Sequence, residues 1–332
     1  MISVSTIVMN HFIFVYLGNL MDQWLNTSGV MSLIQSLEER ISLLRPVSSR
    51  PEHPQLELQA RYDIGEFING ISFVGGIFQV ATRDGITFVV ANGGEPETRG
   101  PLLEGMNIKD VCEAAYNKQI VLTDDEVDIH KTNDLFLNAP VFTLRQNTNN
   151  GGNSAFFSAC SVRKHGSWVY ILGDMYGLEY WNVGERRWNK SVSVREFNGG
   201  VTSIPPSEYR FCVGQQTGTI FFTLLNEGQV GAYDDDDDGM LIWRDDTTCS
   251  KPAGIDCDWT KVYVCESDPN NPCVVIFDYA GDVITRVGVL DMECPWSISV
   301  LPYTLAVAGK GQLLGPNTVL LFKIWQVDFD EL

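Results

Sequence analysis

The chain has 332 residues, 44% of them hydrophobic, with 23 Lys and Arg against 42 Asp and Glu and a formal net charge of −19. That is enough apolar material for one large domain or two ordinary ones. The acidic surface repels phosphate backbones and disfavours a nucleic-acid partner; the densest basic cluster, Arg186 and Arg187 in GERRWNK, is too small to reverse this, and a protein partner with a basic surface fits better.

Residues 1–26 read as an N-terminal extension. Residues 2–20 are apolar but interrupted by Asn10, His11 and Asn19, with no basic residue ahead of them and no small-residue cleavage pattern. They read either as a weak signal or anchor segment or as a mis-called start upstream of Met9 or Met21. No other segment is long and apolar enough to span a bilayer, which disfavours a membrane role, and the eight cysteines, read as free buried thiols of a reducing compartment, point to the cytoplasm.

The spacing of Val30, Ile34, Leu37, Ile41 and Leu44 predicts an amphipathic helix over 27–44 with one apolar seam. Such a seam either docks on the rest of the chain or self-associates as a short coiled coil, giving a homo-oligomer. RPVSSRPEHP (45–54) is a linker. QLELQARYDIG (55–65) then alternates as a strand with no hairpin partner of its own.

From there a rhythm sets in. Strand–turn–strand units centre on Val80, Leu122, Leu172, Val213, Val264 and Val307, at spacings of about 40–50 residues. Upstream of each lies another apolar strand: INGISFV, IKDVCEAA, AFFSACSV, GGVTSI, PAGIDCD and PWSISV. The two longest intervals hold the polar runs RQNTNNGGNS (145–154) and DDDDDG (234–239), the second placed in the turn before MLIWRD. Six four-stranded antiparallel units at this period predict an all-β fold, a six-bladed β-propeller over 55–330 preceded by the short helix. The last unit, ending at VLLFKIWQV, lacks a fourth strand, and 55–65 is expected to supply it and close the ring.

The cysteines at 249, 257, 265 and 273 follow the strand rhythm of one blade and show no CxxC pairing, so they read as free buried thiols and not as a metal centre. No metal ligand set and no cofactor is assigned.

PAGIDCDWTKVYVCESDPNNPCVVIFDYAGDVITRVG (252–288) resembles an NHL-type repeat, matching at Pro252, Gly254, Ile255, Val262, Tyr263, Val264, Asn270, Phe277, Asp278 and Gly281. Pro295 and Trp296 open a looser second match. WD-repeat propellers are more distant, because the Trp-Asp signature is absent. The resemblance implies a propeller like the C-terminal domain of tripartite-motif proteins, without their RING and B-box ligands, acting in protein recognition.

Propeller loops are the natural binding surface. Turns expected between second and third strands carry Arg83, Asp84, Asp124, Asp125, Asp174, Tyr176, Gln215, Gln216, Glu266, Asp268 and Lys310. Their acids would give one channel mouth a negative field, unless they serve only to form turns. Tyr180, Trp181 and Trp188 offer an aromatic patch, unless they pack between sheets.

Catalysis has little support: His11, His53, His130 and His165 fall in unrelated contexts, and neither GxSxG nor a phosphate-binding loop occurs. The expected function is therefore a non-enzymatic interaction scaffold that recognises its partner through a loop face. The alternative is a calcium-dependent, gluconolactonase-like hydrolase with its site in the channel, for which Glu66, Asn107, Asp110 and Asp256 are the candidates.

Overall fold

The computed structural model describes residues 54–325, apart from 75–76, 91–96, 116–117, 125, 132–139, 145–160, 174–176, 183–186, 193–208, 235–239, 290 and 312–315. The helix expected over 27–44 and the segments flanking it lie outside the described residues, save Pro54. The regular structure described is all β-strand. No described helix is long and apolar enough to cross a membrane.

Strand β1 (Gln55–Ile64) comes first and stands apart from the strand that follows it. Blade one is β2 (Ile68–Val74), β3 (Ile77–Thr82), β4 (Gly85–Val90) and β5 (Glu97–Leu102). Blade two is β6 (Ile108–Ala115), β7 (Lys118–Thr123), β8 (Val127–Lys131) and β9 (Phe142–Leu144). Blade three is β10 (Ser161–His165), β11 (Trp168–Gly173), β12 (Gly177–Asn182) and β13 (Arg187–Val192). Blade four is β14 (Tyr209–Val213), β15 (Ile220–Leu224), β16 (Gln229–Asp234) and β17 (Met240–Asp245). Blade five is β18 (Pro252–Cys257), β19 (Lys261–Glu266), β20 (Cys273–Asp278) and β21 (Val283–Gly288). Blade six is β22 (Met292–Leu301), β23 (Thr304–Gly311) and β24 (Asn317–Trp325), with β1 hydrogen-bonded antiparallel to β24 as its outer strand.

The first strand of each blade is innermost. Around the axis β2 neighbours β6, then come β10, β14, β18 and β22, and β22 returns to β2. Residues 55–325 thus form a closed six-bladed β-propeller. Packing follows from the sequence of each strand. Second and third strands such as KVYVCE and CVVIFD are buried almost throughout, because a neighbouring sheet covers each face. Outer strands such as MLIWRD and VITRVG are largely exposed, since no further strand flanks them.

Each junction between blades holds its own apolar cluster. Cys112, Ile120 and Leu122 meet Val162, Val169 and Trp181 between blades two and three. Ala306, Ala308 and Val319 meet Ile68, Ile71 and Val80 between blades six and one, so the closing junction is as apolar as the others. Every fully buried Val, Leu, Ile or Phe contributes about 1.5–3 kcal/mol. Between blades four and five the turn glycine Gly281, at φ 94°, lies against the Trp243 ring, where a Cβ would come within 2.6 Å; the indole Nε1 of Trp243 donates to Tyr279 O at 2.9 Å. Tyr180 and Trp181 are buried in the junctions on either side of blade three and form no surface patch.

Blade four corrects the sequence reading. RFCVG was expected to be a second strand behind GGVTSI, yet β14 is the innermost strand and flanks β10 and β18. Thr223 of β15 donates its Oγ1 to Ala253 O at 2.6 Å, just as Cys265 of the second strand in blade five reaches Ser297 O. GGVTSI lies outside the described residues. Asp234, the first residue of the acidic run, ends β16 and pairs with Met240 of β17, while 235–239 lie outside the described residues.

Candidate functional site

A blade chain alternates direction from the axis outward, which sorts its connections onto two faces. Second-to-third turns share one face with the crossings between blades, called here the crossing face. First-to-second and third-to-fourth turns share the other, the hairpin face.

On the crossing face the expected acids are engaged inside the loops. Asp84 accepts Gly105 N at 3.2 Å. Asp124 accepts Asn107 Nδ2 at 2.9 Å and pairs with Lys109 Nζ at 3.2 Å; the Asn107 bond chiefly holds its carboxyl below the usual range. Glu266 is 2% exposed and accepts the backbone N–H groups of Ser250, Lys251 and Asp268 at 2.7, 2.8 and 3.1 Å. Asp268 caps its own turn by accepting Asn270 N at 3.1 Å, which lowers its pKa. Lys310 pairs with Glu293 at 2.7 Å. Arg83 lies over the Phe67 ring, which stacks on Trp296. Asp125, Asp174 and Tyr176 lie outside the described residues. Gln215 and Gln216 belong to the other face, because the blade-four correction puts them between a first and a second strand.

The hairpin face contains one mouth of the channel. A cavity of about 390 Å³ opens there, walled by all six blades: Phe73, Glu113, Arg163 and Lys164, Gln215, Asp256 to Trp259, and Ser299 to Pro302. Its polar wall has a structural origin. The inner edge of each blade has no further strand to pair with, so its N–H groups need acceptors from elsewhere. Side chains of adjacent inner strands supply them. Asp110 Oδ1 accepts Val111 N at 2.9 Å, while its Oδ2 accepts Val162 N at 3.0 Å, Ser161 Oγ at 2.9 Å and Arg163 Nη1 at 2.5 Å. Asp256 repeats the device between blades five and six, accepting Cys257 N at 2.9 Å and Val300 N at 2.8 Å. Ser297 and Ser299 do the same for Ile71 N and Phe73 N and latch blade six to blade one. Gly70 makes room for this arrangement, since a Cβ there would lie 2.9 Å from Asp110 Oδ1.

Arg163 is the charge centre of the wall. Burial alone would lower its pKa, but Asp110 and Asp256 outweigh that and hold it above the ordinary guanidinium value. Burial pushes the Asp256 carboxyl up, and Arg163 pulls it partly back. A guanidinium therefore serves the two channel carboxylates. Glu66 and Asn107, the other candidates for a calcium site, are on the crossing face: Glu66 O accepts Asn317 Nδ2, and Asn107 bonds Asn69 and Asp124. The four do not form one ligand shell.

Around the mouth stand exposed apolar side chains. Trp259 is 60% exposed in the blade-five hairpin, Tyr303 is 46% exposed in that of blade six, and Ile77 begins β3 beside that of blade one. Tyr303 has φ 75° in the two-residue turn Pro302–Tyr303, a position that favours glycine. Holding a bulky residue there costs on the order of 1–3 kcal/mol. Farther out on the same face are Met240, Ile242, Val283 and Trp325, also exposed. Of the other exposed large apolar side chains among the described residues, only Phe67 lies in a crossing-face loop. Sequence reasoning missed this rim because it followed second-to-third turns. The signal was available in DWT and LPYT, two aromatic-bearing first-to-second turns.

The described cysteines are all free; burial pushes the Cys112 thiol up to about 12 and Cys273 up to about 11. No protein-family model matches the chain, and no curated protein matches it. The class that fold and site define is a six-bladed β-propeller with a polar, Arg-centred channel and an aromatic hairpin face.

Proposed function

We propose that the chain is a protein-recognition module whose partner docks over the channel mouth on the hairpin face. The observation that carries this is the asymmetry between faces. Among the described residues, exposed large apolar side chains gather on one, including Trp259 and a Tyr303 held in an unfavourable backbone conformation, while Asp84, Asp124, Glu266 and Asp268 of the other are bound up in its own loops. Aromatic residues at a rim around a concavity are the usual anchors of protein interfaces. The net charge of −19 favours a segment with an apolar anchor flanked by basic residues. The NHL-like character of residues 252–288 agrees with a recognition role, and an NHL-type propeller is the lineage we propose.

The test is affinity capture from the source cells followed by titration of the purified partner. Three forms are compared: the parent, a mouth variant (Trp259→Ala with Tyr303→Ala) and a crossing-face variant (Asp84→Lys with Asp124→Lys). Loss of at least about tenfold in affinity for the mouth variant alone supports the proposal, a size expected of a hot-spot anchor. Loss only in the crossing-face variant moves the site to the loops first expected. Equal binding by all three forms sinks both.

A further inference from the structure

We propose that Cys212, Cys257 and Asp256 form a binding site for a thiophilic divalent cation, zinc being the probe of choice, in the channel wall between blades four and five. Cys212 sits on β14 and Cys257 on β18, and the two point toward each other in the junction between those blades. One ligand atom from each and one carboxylate oxygen of Asp256 all lie within 4.8 Å of one another. Atoms at that separation are at most about 2.8 Å from a common centre, so shifts of roughly half an ångström reach zinc–sulfur and zinc–oxygen bond lengths.

The surroundings suit such an ion. Asp256 is oriented by Cys257 N, Val300 N and the Ser299 hydroxyl, the outer-shell support that metal-binding carboxylates receive. A carboxylate has about four acceptor positions, which leaves one for a cation. Three deprotonated ligands around a divalent ion carry a net single negative charge. The Arg163 guanidinium, whose field reaches both Asp256 and Cys212, offsets it. Asp256 and Cys257 line the cavity, so water can fill a fourth position from the channel, as in an open zinc site. Buried thiols alone are ordinary core residues. The half-buried Asp256 carboxylate already caps Cys257 N and Val300 N, and the two thiols beside it at the cavity wall add soft donors that this cap does not need. Thiolates select zinc over calcium, so this site differs in kind from the calcium cage of a channel hydrolase.

Cobalt serves as spectroscopic surrogate. The reduced full-length chain, freed of metal, is titrated with Co²⁺ and then with Zn²⁺. The expected result is one equivalent bound with a thiolate-to-cobalt charge-transfer band that zinc abolishes. The band should vanish in Cys212→Ser and in Cys257→Ser, weaken at least tenfold in affinity in Asp256→Asn, and persist in the buried control Cys265→Ala. Should the serine variants fail to fold, the unmutated chain still decides: zinc must slow alkylation of Cys212 and Cys257 selectively and raise the unfolding temperature. Absence of the band, a band that survives the Cys212→Ser/Cys257→Ser pair, or isolation of a Cys212–Cys257 disulfide with no cobalt binding overturns the assignment.

Discussion

The two faces of the ring use side chains in opposite ways. On the crossing face, charged residues hold the loops together: Glu266 gathers three backbone N–H groups where blade four hands over to blade five. On the hairpin face, aromatic residues stand out from tight turns, and Tyr303 does so at a cost to its own backbone. The lesson is that a charged loop residue can be part of the frame, while an aromatic side chain left exposed at a tight turn is the better mark of a binding surface.

The largest expected effect tests the structural half of this contrast. Glu266→Ala removes a buried carboxylate from three half-buried backbone donors and should lower unfolding free energy by about 2–4 kcal/mol in urea denaturation. A change below about 1 kcal/mol would break the comparison, because Glu266 would then be as dispensable as a surface acid. Next in size is the converse: Trp259→Ala should shift stability by less than about 0.5 kcal/mol while removing about 2 kcal/mol of partner affinity by titration calorimetry.

A third effect bears on the ring beneath both faces. His130 is 3% exposed on β8, and burial lowers its pKa below the ordinary 6.5 despite the pull of Asp128, 3.9 Å away. Below that ordinary value the unfolded chain takes up a proton that the folded chain resists. The stability is therefore fully present above it and falls as the pH drops, by at most about 1.4 kcal/mol per pH unit. His130→Gln should flatten this dependence in thermal melts at pH 5 to 8, a range spanning that titration. The smallest effect is Asp124→Ala, whose half-exposed pair with Lys109 should be worth less than about 1 kcal/mol.

The ring was readable in the sequence because second and third strands, covered on both sides, are nearly continuous apolar runs that recur at blade spacing. Blade four was out of phase for a physical reason. Phe211, Cys212 and Val213 of its inner strand are as buried as a second strand, since blades three and five enclose them, and they are followed by a glycine and a turn just as a second strand is. That one-strand slip carried Gln215 and Gln216 to the wrong face. Trp259 and Tyr303 were visible as turn residues, but exposure depends on which neighbours a turn meets, and spacing does not encode that. The approach of Cys212 to Cys257 was hidden for the same reason. A spacing search looks for ligands a few residues apart, whereas these come from the inner strands of adjacent blades.

The sixth sheet has a consequence for how the molecule is made. Trp325 Nε1 donates to Glu57, 268 residues away, and β1 and β24 pair along their whole lengths. During synthesis β1 therefore leaves the ribosome first among the propeller strands and keeps an unpaired edge until nearly the entire ring has followed. Closing so long a loop places the final clasp late in folding. Once made, the clasp lets no blade peel from an end, so the propeller has to open at a junction before it can unravel.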